Sequence, residues 1–378
     1  MSTGREHDHA RFGEQSRWKR AARAPGASGW RTLPARARRR WRGRTRWSRP
    51  RRVLTALGTV LALLLLPVLG GAAALRWEYA GDPAADARTR GRDAIWLGHA
   101  WVDGRRTPEE LIALAAKVRS TGIHDLYVHT GPLAHDGSLD PALAPGAADF
   151  LARAHAAMPG VRVQSWLGDV VAPEKEGLHL DRPDVRDRIT AAARQVLDLG
   201  FDGVHFDLEP VHSGSAGFLA LLDQVHALTA ARSVPLSVAA PQIDPVPGLG
   251  RVAFALSGHG KYWSAAYFAA AAGRVDQVAV MSYDTSMPVE SLYGGYVARQ
   301  TALALAHTPP GVDLLMGLPA YWADTPTHRG AAETVRAAVR GARLALGPNG
   351  RRNFGLALYV DFAATPDHWE AYRDGWCN

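Results

Sequence analysis

The sequence predicts an α/β protein: a (β/α)8 TIM barrel preceded by a single transmembrane helix. Three observations carry that expectation. Eight apolar, strand-like runs alternate with eight helix-like segments over about 285 residues, the count of such a barrel. Polar and aromatic residues recur at the C-terminal ends of the runs, where barrel enzymes keep their chemistry. Ahead of them, Val53 to Leu75 is 23 residues without a charge, long enough to cross a bilayer.

The N-terminal elements follow from charge. Residues 1–52 hold 17 Lys/Arg against 3 Asp/Glu, whereas the remaining 326 hold 27 against 33. The net charge of +8 therefore belongs to a tail with few aliphatic residues and no helical period, expected to be disordered. Trp41 and Trp47 within it could stack on bases. A juxtamembrane tail facing anionic lipid headgroups is the simpler reading, and no nucleic-acid partner is expected. Arginine massed before residues 53–75, with acids returning after them, places the N-terminus in the cytoplasm and the rest outside the cell membrane. A secretory signal cleaved near Ala74 is the competing reading, but the basic lead is longer than a usual signal's. Cys377 is the single cysteine, so no intrachain disulfide is possible. Residues 76–92 are polar and turn-rich, a linker to a domain over 93–378.

Within that domain the expected strands are 94–102, 125–130, 161–168, 203–209, 235–241, 275–283, 312–319 and 354–361. The expected helices are 107–120, 146–157, 184–198, 214–231, 261–272, 289–307, 330–345 and 366–374. The helix at 107 has a clear start: Thr107 as N-cap, Pro108 at the first helical position and Glu110 at N3. An open doubly wound sheet is the structural alternative, but no Gly-rich phosphate loop follows the first strand.

The fourth run, "FDGVHFDLEP" (201–210), packs three carboxylates and a histidine into ten positions. Side chains alternate along a strand, so Gly203, His205, Asp207 and Glu209 share one face and Val204, Phe206 and Leu208 the other. Carboxylates are rarely buried without a partner or a task, so the acidic face lines a cleft. Asp207 and Glu209 lie roughly 7 Å apart along it, close enough for one charge to raise the other's pKa and keep Glu209 protonated near neutrality. Around them the strand ends supply Trp101, His129, Trp166, Asp169, Gln242, Tyr283, Asp284, Tyr321, Trp322, Tyr359 and Asp361. Aromatic rings around carboxylates suit a carbohydrate, stacking on sugar faces while the acids react. Each ring taken singly is more often packing. A metal face of His205, Asp207 and Glu209 is a further reading, but no other metal-ligand motif accompanies it, so neither metal nor cofactor is expected.

"DGVHFDLE" (202–209) resembles the DGxDxDxE signature of glycoside hydrolase family 18, the chitinase and endo-β-N-acetylglucosaminidase group. "MSYD" (281–284) and "MGLPAYW" (316–322) resemble that family's motifs on strands six and seven, in order and spacing. The resemblance implies a hydrolase of β-linked N-acetylglucosamine glycans, chitin-like or peptidoglycan-like. Glu209 would be the general acid. Asp207 and Tyr283 would hold the 2-acetamido group that attacks the anomeric carbon in place of a protein nucleophile. Asp284 would position the sugar, His205, Trp101, Trp166, Gln242, Tyr321, Trp322 and Tyr359 would contact it, and Asp202 would be structural. Two positions depart from the pattern. His205 stands where the family has an acid, predicting a partner for Asp207 that titrates at about pH 6 to 7. Tyr359 stands where the family has the tryptophan floor of the sugar site. A non-catalytic, lectin-like barrel is the alternative from another class, although Glu209 is present.

Overall fold

The computed structural model describes residues 49–347 and 350–378, so the tail expected over 1–52 lies almost wholly outside the described residues. The chain divides into two units between Ala62 and Leu63. The described part of the first is helical and belongs to α1 (Arg49–Glu78), whose large apolar side chains from Val53 to Leu69 are exposed. By length and composition α1 is able to cross a membrane. It continues to Glu78, so the first residues of the expected linker are helical.

The second unit is a closed barrel. Its strands are β1 (Asp93–Leu97), β2 (Ile123–His129), β3 (Arg162–Val170), β4 (Gly203–Glu209) and β5 (Leu236–Ala240). After the short β6 (Gln242–Ile243) and β7 (Tyr262–Trp263), which pair with each other, come β8 (Gln277–Val280), β9 (Asp313–Pro319) and β10 (Phe354–Tyr359). The eight long strands are all parallel in the order β1-β10-β9-β8-β5-β4-β3-β2, a TIM barrel. Around it stand α2 (Pro108–Arg119), α3 (Ala147–Ala157), α4 (Pro183–Asp198) and α5 (Ala216–Ala231). After α6 (Leu249–Ser257) the ring continues with α7 (Ala265–Ala272), α8 (Glu290–His307), α9 (Val335–Leu346) and α10 (Pro366–Tyr372).

Local chemistry accounts for the start of α2. The Thr107 hydroxyl accepts from Glu110 N at 3.3 Å and the Glu110 carboxylate accepts from Thr107 N at 2.8 Å, so two otherwise orphan donors are satisfied. The stretch between β5 and β8 departs from expectation. Instead of one helix over 261–272, the chain inserts β6, α6 and β7 at the C-terminal side of β5 before α7. Gly248 at φ 91° and Gly258 at φ 70° bound α6, and glycine tolerates that left-handed backbone without strain.

The core has two parts. The strands' outer faces, including Val204, Phe206 and Leu208, pack with the helices into one large cluster. The barrel's interior holds a smaller one, with Trp96, Tyr127, Trp166 and Leu315 among its members. Its lower layer is polar. Asp125 receives both arms of Arg162 at 2.7 and 2.8 Å and the amides of Gln164 and Gln277 at 2.9 and 3.0 Å. A buried carboxylate is stable there because its acceptor sites are filled.

Candidate active site

The register of β4 with its neighbours decides what reaches the barrel mouth. His205 pairs across to Trp166 and Ser237, one interior layer below Asp207, which pairs with Gly168. Glu209, opposite Val170, ends the strand. Asp207 and Glu209 line a cleft of about 290 Å³ together with Gln242, Tyr283, Asp284 and Tyr359. Six of the residues expected at a site are thus brought together from the ends of β4, β5, β8 and β10.

Burial raises the pKa of Asp207, opposed by the nearby Trp166 indole, and Asp207 Oδ1 has no hydrogen-bond partner among the described residues. Glu209 is raised as well, first by desolvation and then by the charges of Asp207 and Asp284, with Lys175 opposing. The cleft therefore holds a carboxylic acid at its mouth and a carboxylate with a free oxygen beneath it. Tyr283 is buried with its ring stacked 5.3 Å from Tyr359, and it fits because Gly317 of β9 lacks a Cβ, which would stand 2.8 Å from the ring. Gln242 donates to Tyr283 O at 2.5 Å and accepts from the Tyr296 hydroxyl at 2.8 Å, so it holds the cleft's wall.

Asp284 takes a left-handed backbone at φ 58°. Its Oδ1 accepts from the Tyr321 hydroxyl at 2.7 Å, and Lys261 Nζ donates to its backbone oxygen at 2.8 Å. Burial would raise its pKa, but His328 and Tyr321 outweigh burial and hold it low. Tyr321 thus acts through Asp284. At the opposite end of the barrel, Asp202 Oδ2 accepts from Val163 N and His155 Nε2, both at 2.8 Å, and ties β4 to β3 and α3.

Three expectations need correction. His205 neither lines the cleft nor hydrogen-bonds Asp207. It is fully buried, accepts the Trp96 indole N–H on Nε2 at 3.0 Å, meets Ser237 Oγ with Nδ1 at 2.8 Å, and stacks 3.8 Å from Tyr127. The accepted N–H fixes a neutral tautomer with the proton on Nδ1, and burial pushes the pKa down to about 3. The titration expected at about pH 6 to 7 is therefore absent, and so is a metal face built on His205. The outer tryptophans also lie elsewhere. Trp101 turns away in a short 3₁₀ turn and donates to Asp361 at 2.8 Å under Arg106, while Trp322 stacks on His368 at 4.7 Å. Trp166 sits below the floor, 8% exposed, edge-on to His129.

Sequence reasoning missed the cleft's cationic and clasping residues. Lys175, His259 and Lys261 line it, and Glu174 binds the two sides of its rim together. The Glu174 carboxylate meets His212 Nε2 at 2.7 Å, His259 Nδ1, and Gly260 N at 3.0 Å. These residues sit on loops far apart in the chain, with no periodic signal to mark them.

No family model matches the sequence, and no curated protein matches it significantly. Among solved structures the chain is similar to the spore cortex-lytic enzyme SleL of Bacillus megaterium, at 16% identity and a TM-score of 0.55 over 78% of this chain and 76% of that one. It is also similar to a chitinase of Chromobacterium violaceum (14% identity, TM-score 0.53, 75% of this chain and 98% of that one). A third is the group IV chitinase of Ostrinia furnacalis (14%, 0.51, 76% and 99%). The chain has the fold of these proteins. At such identities the likeness is one of architecture, and function rests on the cleft.

Proposed function

We propose that the chain is a membrane-anchored glycoside hydrolase of the family 18 type, cleaving β-linked N-acetylglucosamine glycan outside the cytoplasmic membrane. The observation that carries this reading is the pair on β4: Glu209, raised enough to keep a proton near neutrality, two residues beyond Asp207 with its free oxygen in the same cleft. The fold shared with chitinases and a spore cortex-lytic enzyme supports an amino-sugar substrate.

In the proposed reaction the substrate's acetamido oxygen bonds to the anomeric carbon as the glycosidic bond breaks, and Glu209 gives its proton to the departing oxygen. Asp207 holds the acetamido N–H and stabilises the five-membered cyclic cation. Tyr283 donates to the same group, and Asp284 fixes the sugar. Water then attacks the anomeric carbon from the face the leaving group vacated, giving its proton to Glu209, so the configuration is retained. Tyr359, stacked on Tyr283 in the cleft, offers the ring face for the sugar.

The test uses the full chain in detergent with Glu209→Gln as its partner, on fluorogenic N-acetylglucosamine oligomers and on purified peptidoglycan, counting released reducing ends. The parent should turn over at least one substrate, and Glu209→Gln should lose about 10²–10⁴ of kcat, the range for a general acid. Equal glycan binding by both proteins with turnover by neither would make the barrel a lectin.

A further inference from the structure

Behind the cleft wall lies a cluster that the catalytic scheme leaves unused. Asp284 and Ser286 both adopt left-handed backbone, at φ 58° and 56°, and Asp284 carries no glycine's freedom to do so at no cost. Against this turn lies a buried carboxylate. Glu333, ahead of α9, accepts from Thr285 N at 3.1 and 3.0 Å, from Ser286 N at 2.9 Å and from Arg329 N at 3.4 Å. The loop after β8 is folded around that acceptor, and Ser286 N donating to Thr327 O at 2.8 Å ties it to the loop after β9.

His328 completes the cluster. Its side chain is fully buried, with Nδ1 3.2 Å from Asp284 Oδ1 and 3.5 Å from Glu333 Oε2, and its ring lies 4.2 Å from that of Tyr321. Neither ring nitrogen closes a hydrogen bond of good geometry with the described residues, so packing against the tilted Tyr321 ring and the two carboxylates holds it. The carboxylates of Asp284 and Glu333 and the phenol of Tyr321 face it, and the ammonium of Lys261 and the phenol of Tyr293 lie near the same two carboxylates.

We propose that His328 and Glu333 are positioning residues for the reaction: Glu333 sets the backbone of the loop that carries Asp284, and His328, with Nδ1 3.2 Å from Asp284 Oδ1, sets its side chain. Neither lines the cleft. The inference rests on the proposed role of Asp284 in holding the sugar. The same three side chains also have ligand atoms within 4.8 Å of one another, so a metal ion is the competing occupant of the charge between the acids.

The test uses the full chain in detergent, with His328→Leu, His328→Gln and Glu333→Gln. His328→Leu should lower kcat/KM about 10–100-fold with KM raised, as expected on losing a contact to the carboxylate that holds the sugar. His328→Gln, which keeps a donor, should recover part of that loss. Glu333→Gln, which weakens the acceptor that holds the Thr285 and Ser286 amides, should lower kcat/KM in the same direction. Folded His328→Leu with parental kcat/KM, or stoichiometric metal in the purified protein that His328→Leu lacks, would each overturn the proposal. If the parent turns over nothing, the function reading fails on its own. Binding of N-acetylglucosamine oligomers by calorimetry then decides: weakening of about 10-fold or more in His328→Leu keeps the positioning role, and unchanged affinity ends it.

Discussion

Asp207 and Glu209 illustrate how two like groups acquire different work from depth and from each other's charge. Both are raised by burial, and the charge of Asp207 raises Glu209 further. A general acid acts while protonated, so activity is present below the pKa of Glu209 and lost as pH rises through it. Asp207→Asn removes the repelling charge, which lowers that pKa. The alkaline limb of its residual activity should therefore move to lower pH, read from kcat/KM between about pH 4 and 9. An unmoved limb would refute the electrostatic account of Glu209. His205, two residues earlier, contributes nothing to such a profile, because burial holds it neutral down to about pH 3. Its imidazole is a core group that satisfies Trp96 and Ser237.

Among the elements, α8 and α9 pack most intimately, and the reason is glycine. A Cβ on Gly341 of α9 would run into the Gly294 carbonyl oxygen of α8, backbone against backbone, so neither side can yield. One on Gly295 would meet the backbone of Leu75, and one on Gly294 the ring of Tyr79, so the end of α1 and the residue after it rest on the same helix. Gly341→Ala should destabilise the barrel by about 1–3 kcal/mol, the cost of overpacking, and lower its melting temperature. Gly311→Ala, with open space around it, is the matched control and should melt with the parent. Should both variants melt alike, close helix approach is not what these glycines provide. The insertion behaves differently: its helix α6 has no buried residue, and Leu249, Val252, Phe254 and Leu256 are exposed. It contributes the rim of the cleft through His259 and Gly260.

For the whole molecule, charge and hydropathy divide the labour. The tail is strongly basic, the rest mildly acidic, and the apolar α1 stands between them. The proposed anchor predicts that alkaline carbonate leaves the full chain in the membrane fraction. In right-side-out vesicles protease should digest the barrel and spare the basic tail. Release into the soluble fraction with a new N-terminus near Ala74 would mean a cleaved signal instead.

The sequence by itself determined the barrel and the face of β4 that carries the acids. Alternation of apolar runs with helical periods is local information, and all eight barrel strands fall within or across the expected runs. A strand's period of two likewise fixes which side chains point inward. It does not fix how deep they lie. His205 and Asp207 share a face, yet one is packed among Trp96 and Tyr127 and the other opens on the cleft. Depth depends on the stagger of β4 against β3 and β5, which only closure of the sheet sets. For the same reason Trp101 and Trp322, near strand ends in sequence, face away from the cleft in space. The clasp of Glu174 with His212 and His259, and the grip of His328 and Glu333 on Asp284, join loops dozens of residues apart. Such contacts have no period to read, because they exist only once the chain has brought the loops to one end of the barrel.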